Sequence, residues 1–162
     1  MVRGDDYPNT TININANNCL VQEAQVGIHD TYKGILNVTN CKFTNVGIPI
    51  NVAKKVTENL QVNVLNCVFD KCGIPDPITA WDYAAPVRVV DNAGPSYSIN
   101  LLVESCIFND TQSNMQILLW DYRTDKTRTS YPVKLTVKNC TPEKLEIDTI
   151  TEPTTMGPET KE

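Results

Sequence analysis

The stretch "LNVTNCKF" (Leu36 to Phe43) shows a β-strand alternation that changes phase in the middle. Leu36 and Val38 alternate with polar residues, as the residues on one face of a strand do. Cys41 and Phe43 continue the apolar series in the opposite phase, and Asn40 lies at the change. Asn adopts the left-handed backbone conformation more readily than other non-glycine residues, and such a residue turns the chain sharply. The stretch therefore predicts two short strands joined by a corner at Asn40.

The same pattern occurs five times along the chain, and an internal repeat of this kind usually defines the fold. Each copy has an apolar residue, any residue, an apolar residue or Ala, any residue, Asn or Ser, and Cys. The copies are "INANNC" (Ile14 to Cys19), "LNVTNC" (Leu36 to Cys41), "VNVLNC" (Val62 to Cys67), "LLVESC" (Leu101 to Cys106) and "LTVKNC" (Leu135 to Cys140). The intervals between copies vary, so the repeat tolerates insertions outside the corner.

A fold that repeats one corner and accepts insertions elsewhere is a parallel β-solenoid, whose coils stack about 4.8 Å apart. Equivalent residues then form ladders, which at the corner are Asn18, Asn40, Asn66, Ser105 and Asn139. This arrangement resembles the pectate-lyase-like superfamily, in which Asn ladders occupy one corner and apolar or Cys stacks fill the interior. The resemblance covers residues 12–150 and implies an all-β, right-handed parallel β-helix.

The repeat predicts five coils, at residues 10–33, 34–58, 59–96, 97–132 and 133–150. Residues 1–9 are expected to lead into this domain of residues 10–150, and residues 151–162 to form a flexible tail of Thr, Pro and Glu. No amphipathic capping helix is evident at either end. We therefore expect end-to-end association or neighbouring domains to cover the solenoid ends. An antiparallel β-sandwich is the alternative fold, but it gives no reason for the Asn-Cys pair to recur.

Charge and hydropathy exclude several classes of partner. The net charge is −5 and the pI is about 4.9. Because nucleic-acid binders concentrate Lys and Arg on one face, no nucleic-acid partner is expected. No apolar run is long enough to span a membrane, so no membrane insertion is expected. The first residues lack the apolar core of a signal peptide. As part of a longer protein, the chain is expected outside the cell or on its surface.

Six cysteines raise disulfides and metal binding as possible explanations. Five occupy the repeat position, where free Cys acts as a small buried hydrophobe, so stacked thiols are predicted. No second Cys pair or His cluster completes a tetrahedral zinc site with Cys67 and Cys72. Cys72 lies off the repeat position and is predicted to be the one reachable thiol. No metal and no resident cofactor are expected.

Two Trp-Asp-Tyr triplets follow their ladder cysteines at equal offsets, and the first coil has a partial counterpart in "IHDTYK". The triplets are Trp81, Asp82, Tyr83 and Trp120, Asp121, Tyr122. Equal offsets predict neighbouring columns at the end of the third strand of each coil. Aromatic rings stack on the apolar face of a sugar and carboxylates accept hydrogen bonds from hydroxyls, so the columns are candidate glycan-binding residues. Alternatively, both Trp side chains face the core while the Asp side chains face solvent.

Two classes of function follow from these observations. The first is a non-catalytic module of a surface, secreted or phage-tail protein that presents a surface to a polysaccharide or another protein. It is favoured because the chain lacks the Gly-His-Gly and Arg-x-Lys segments that β-helix hydrolases acting on polygalacturonate carry. The second is a polysaccharide lyase or glycoside hydrolase, with Asp82, Asp121 and Arg123 as candidate catalytic residues. The resemblance implies calcium only if the chain is a lyase.

Overall fold

A computed structural model describes residues 11–30, 34–54, 60–74, 84–91, 99–121 and 133–150. Within these ranges the secondary structure consists of fourteen β-strands and contains no helix. Every strand pair in the three sheets is parallel, and strands that pair come from successive coils. The described chain is therefore a parallel β-helix, as the repeat predicts, and not an antiparallel sandwich.

The first four coils each contribute one strand to each sheet, and the fifth contributes one to the first and third sheets, in the order in which the coils follow along the chain. The first sheet contains β1 (Ile14–Asn17), β4 (Leu36–Thr39), β7 (Leu60–Leu65), β10 (Ile99–Glu104) and β13 (Val133–Lys138). The second sheet contains β2 (Leu20–Gln22), β5 (Lys42–Thr44), β8 (Val68–Asp70) and β11 (Ile107–Asn109). The third sheet contains β3 (Val26–Asp30), β6 (Ile48–Lys54), β9 (Val87–Asp91), β12 (Ile117–Asp121) and β14 (Ile147–Ile150). In the fifth coil, a single bridge between Thr141 and Ile107 replaces the second-sheet strand.

The first corner joins the first and second strands of each coil and has a left-handed residue in all five coils. These residues are Asn18 (φ 56°), Asn40 (φ 54°), Asn66 (φ 55°), Ser105 (φ 55°) and Asn139 (φ 51°). Leu36 and Val38 before Asn40 are buried, and so are Cys41 and Phe43 after it. The predicted corner is thus confirmed, and it explains the change of phase. The handedness of the coil stays a prediction.

A second corner, between the second and third strands, has the same backbone conformation and was not predicted. Its left-handed residues are Glu23 (φ 51°), Asn45 (φ 53°), Lys71 (φ 53°) and Asp110 (φ 47°). Each is followed by a member of another column, which comprises Ala24, Val46, Cys72 and Thr111. Backbone bonds of 3.1 Å from Gly73 N to Val46 O and 2.8 Å from Gln112 N to Cys72 O connect this column.

The prediction that Cys72 is the reachable thiol is wrong, because the second corner turns its side chain into the core. Cys72 is 1% exposed, and its Sγ lies 3.4 Å from Asp70 O and 3.6 Å from Phe43 O. The exposed thiol is instead Cys19, in the first coil. All six cysteines are free, as predicted.

The interior is packed by ladders of identical or similar side chains. Phe43, Phe69 and Phe108 stack nearly parallel, with ring centroids 5.3 and 4.8 Å apart. Val, Ile and Leu ladders from the first and third sheets complete the same core. Each fully buried side chain of this size contributes about 1.5–3 kcal/mol to stability. The core therefore supplies a rigid scaffold for the outward-facing residues.

Candidate functional site

The outer surface of the first sheet carries a cluster of uncharged polar side chains in the first three coils. We call this surface the amide face; it consists of Asn15, Asn17, Asn37, Thr39, Gln61 and Asn63. These residues alternate along β1, β4 and β7 with the buried or partly buried apolar residues. Because successive residues of a strand point to opposite sides, burying the apolar series directs the amides outward.

The amides of neighbouring coils are joined by short hydrogen bonds. Asn37 Nδ2 donates to Asn15 Oδ1 over 2.7 Å, and Asn63 Nδ2 donates to Asn37 Oδ1 over 2.7 Å. Gln61 Nε2 donates to Asn63 Oδ1 over 2.8 Å. The register that makes this ladder possible places Asn37 directly between Asn15 and Asn63. The side chains are therefore held in fixed orientations before any ligand arrives.

This ladder leaves hydrogen-bonding capacity unused. An Asn side chain has two N–H hydrogens and an oxygen with two lone pairs. Asn37 uses one hydrogen and one lone pair in these two bonds, so one hydrogen and one lone pair take no part in the ladder. Asn15 is exposed, and Asn37 and Asn63 are partly buried. The amide face can thus donate to and accept from a ligand at intervals of about 4.8 Å along the solenoid.

Apolar and charged residues define the limits of this surface. Ile35 is 41% exposed and Leu65 is partly buried, and both point outward beside the amides. Charge appears on this sheet only beyond the third coil, with Glu104 on β10 and Lys134 and Lys138 on β13. The amide face is therefore a neutral surface within a chain whose net charge is −5.

The predicted Trp-Asp-Tyr columns do not form as expected. Trp120 pairs with Val90, and Asp121 pairs with Asp91. The third-sheet strand of the third coil is therefore β9, which begins after the Trp81-Asp82-Tyr83 triplet. The equal offsets fail because the connection from β8 to β9 is longer than that from β11 to β12. Trp81, Asp82, Tyr83, Tyr122 and Arg123 lie outside the described residues, so their proposed roles stay predictions.

Trp120 is buried, although it lies on the outward side of the third sheet. Its indole is 1% exposed and does not belong to the central core, to which the preceding Leu119 contributes. The guanidinium carbon of Arg88 lies 5.1 Å from the Trp120 ring centroid, a cation–π contact. Arg88 is 4% exposed, and this burial lowers its pKa to about 10. Trp120 therefore supports Arg88 and is not a platform on which a sugar from solvent can stack.

His29 and Asn51 extend the same outward row of the third sheet toward the first coil. The row pairs His29 with Asn51, and Asn51 with Arg88. Asn51 Nδ2 lies 3.2 Å from His29 Nδ1 and donates to it when the ring proton is on Nε2. His29 is exposed, whereas Asn51 is 3% exposed. From Asn51 through Arg88 to Leu118 this row is therefore covered, and the amide face is the more accessible polar surface.

The described ranges contain neither a metal-binding cluster nor a membrane-spanning helix. No group of three or more His, Cys, Asp or Glu side chains there is placed to hold a metal ion. No helix in that part of the chain is long and apolar enough to cross a membrane. Comparisons with protein-family models, with curated proteins and with solved structures find no match.

The amide face was missed in the sequence because its positions vary across the whole repeat. The central polar position is Asn15, Asn37 and Asn63 in the first three coils, then Leu102 and Thr136. Three consecutive Asn residues at one repeat position were a detectable signal. The positions that all five copies share are the corner residue and the Cys, and these residues form the scaffold and not the amide face.

Proposed function

We propose that this chain is a non-catalytic β-helix module of a surface, secreted or phage-tail protein, and that its amide face binds an extended glycan. The observation that supports this most directly is the hydrogen-bonded ladder of Asn15, Asn37 and Asn63. Sugar hydroxyls both donate and accept hydrogen bonds, as do the free positions of these amides. The likeness of the corner residues to the pectate-lyase-like superfamily supports the same class of ligand, by analogy of fold alone.

The chemistry of the amide face favours a neutral glycan. It contains no charged side chain, so nothing on it would attract or repel a uronic acid strongly. Ile35 and Leu65 add apolar contacts for the C–H groups of a sugar ring. Because the amides are already held by one another, binding loses little side-chain entropy, which favours affinity. A linear glycan lying along the solenoid axis would meet equivalent groups on three coils.

The proposal is tested by measuring calorimetrically the affinity of the chain for neutral and acidic polysaccharides. The test variant carries Asn15→Ala, Asn37→Ala and Asn63→Ala together. A matched control carries Gln22→Ala, Lys42→Ala and Asn109→Ala, three exposed positions on the second sheet. We expect the test variant to bind a neutral polysaccharide roughly tenfold or more weakly, because several hydrogen bonds of about 1 kcal/mol each are lost.

Thermal unfolding of both variants separates binding from stability. A test variant that melts earlier but binds as well as the unsubstituted chain would show that the ladder is only structural. Absence of binding to every polysaccharide would also refute the proposal. The control variant should bind within about twofold of the unsubstituted chain, since surface substitutions away from special features have small effects.

Cleavage of a polysaccharide is the alternative function, and one observation favours it. The backbone register places Lys54, Asp91 and Asp121 next to one another at the ends of the third-sheet strands. Polysaccharide lyases of the β-helix fold use acidic residues as calcium ligands and an Arg or Lys as the base. Incubation of the same polysaccharides with and without calcium, followed by analysis of the products, distinguishes cleavage from binding. Retained cleavage after Asp82→Ala and Asp121→Ala together would exclude both residues from catalysis.

A further inference from the structure

The outer surface of the first sheet changes its chemistry between the third and fourth coils. The register pairs Asn63 with Leu102, so the Asn ladder gives way to an apolar residue, and beside this pair Leu65 precedes Glu104. We call the set of Asn63, Leu65 and Leu102 the ladder end. It lies within the solenoid, because β7 is paired with β4 and β10, and β10 is paired with β7 and β13. The residues that alternate with these three are buried, so the ladder end faces outward.

Asn63 keeps hydrogen-bonding capacity where the row of amides stops. Its Nδ2 donates to Asn37 Oδ1 over 2.7 Å, and its Oδ1 accepts from Gln61 Nε2 over 2.8 Å. One hydrogen and one lone pair of Asn63 take no part in these two bonds. Leu102, the next residue in the row, has no polar side-chain group that could use them. Asn63 can therefore donate one bond to a ligand and accept another from it.

The two leucines of the ladder end place apolar side chains next to this amide. Leu65 follows Asn63 by two residues along β7, a distance of about 6.6 Å, and Leu102 lies about 4.8 Å away on the next coil. Both leucines are partly buried, so each keeps some exposed surface. A polar group with apolar neighbours is typical of small-molecule sites, in which a few polar atoms fix the orientation of an otherwise apolar contact.

Charge limits the kind of sugar that suits the ladder end. In the register of this sheet the nearest charged residue is Glu104, beside Leu65, and Lys138 lies one coil further on. A carboxylate on a ligand would meet the like charge of Glu104 before it reached Lys138. The ladder end therefore favours an uncharged sugar that carries both a hydrogen-bonding group and a methyl group.

We propose that Asn63, Leu65 and Leu102 form a subsite for the acetamido group of an N-acetylhexosamine within a neutral glycan. This inference rests on the proposed glycan binding and names the class of sugar. Asn63 donates to the acetamido carbonyl oxygen, and the acetamido methyl packs against the two leucines. A sugar with a hydroxyl at the same carbon makes the polar contact but buries no methyl, which weakens its binding roughly fourfold.

The test compares two tetrasaccharides that share a β-1,4-linked backbone. N-acetylchitotetraose carries an acetamido group at C2 of each sugar, and cellotetraose carries a hydroxyl there. By calorimetry the unsubstituted chain should bind the first roughly fourfold or more tightly. Leu102→Ala should reduce this ratio to less than about twofold, because the methyl loses its contact. Ile35→Ala, which removes an exposed apolar side chain elsewhere on the same face, is the matched control and should preserve the ratio.

Nuclear Overhauser effects provide a second measurement that does not depend on a variant. In a methyl-labelled chain, the acetamido methyl protons should contact the methyl groups of Leu65 and Leu102 and not that of Ile35. Equal affinity for the two tetrasaccharides, an unchanged ratio in Leu102→Ala, or absence of these contacts would each overturn the subsite while leaving glycan binding intact. Binding of other neutral glycans without N-acetylchitotetraose would also overturn it. Absence of binding to every glycan would instead refute the proposed function.

Discussion

The two corners of the β-helix have the same geometry but are made from different residues. The first corner uses Asn in four coils and Ser in the fourth coil along the chain, at φ values of 51–56°. The second corner uses Glu23, Asn45, Lys71 and Asp110, at φ values of 47–53°. In both, the left-handed residue precedes a side chain that turns toward the core. Only the first corner is built mainly from the residue type that tolerates this conformation best.

The difference shows that coil stacking can impose a backbone conformation that the local sequence does not favour. A left-handed conformation costs a residue such as Lys or Glu about 1–2 kcal/mol. At the second corner, bonds of 3.1 Å from Glu23 N to Thr44 O and 3.0 Å from Lys71 N to Asn109 O hold these residues in register. The neighbouring coils thus offset a local strain that Asn relieves at the first corner.

The largest expected effect concerns the thiols that follow the two corners. Cys67 and Cys72 should both be protected from iodoacetamide roughly a thousandfold relative to Cys19, since exposing them requires an opening that costs about 4 kcal/mol. Burial also raises the pKa of Cys72, which further reduces its reactivity. Alkylation rates at each site are measured by peptide mass spectrometry. Labelling of Cys72 as fast as Cys19 would contradict the equivalence of the two corners.

A β-branched residue should destabilise either corner. Asn66→Val should lower the free energy of unfolding by about 2 kcal/mol and Lys71→Val by about 1–1.5 kcal/mol, because Val is strongly disfavoured at positive φ and Lys71 already bears part of that strain. Urea denaturation measures the change. Lys42→Val, at an exposed strand position, is the control and should change stability by no more than about 0.5 kcal/mol. If only Asn66→Val is costly, the second corner is not under the same backbone constraint.

Exchanging residue types between the corners should give smaller effects of opposite sign. Lys71→Asn should raise the free energy of unfolding by about 0.5–1 kcal/mol, and Asn66→Lys should lower it by a similar amount. The reason is the better tolerance of Asn for the left-handed region. Melting temperatures of the two variants and of Lys42→Asn provide the comparison. A stabilising Asn66→Lys would show that contacts other than backbone preference determine the residue at this corner.

Most of the scaffold was predictable, whereas most of the candidate site was not. The Asn-Cys repeat marks the first corner and the stacked thiols in every coil because both positions are restricted to few residue types. The second corner carries four residues of three chemical kinds, so no pattern reveals it. Trp120 could not be placed, since its register depends on where β9 begins after a long connection. Cys72 was predicted to be reachable because no sequence pattern reveals the second corner, which turns its side chain into the core.

The sequence by itself determined that this chain stacks parallel coils, because a left-handed Asn and an inward Cys recur where alternating strands change phase. The tertiary structure decided which outward residues become neighbours, since the register of five separate coils brings Asn15, Asn37 and Asn63 into one ladder. It also decided accessibility, covering Trp120 and Cys72 while leaving Cys19 exposed. The physical reason is that periodicity is a local property of the chain, whereas contact and burial depend on segments far apart in sequence.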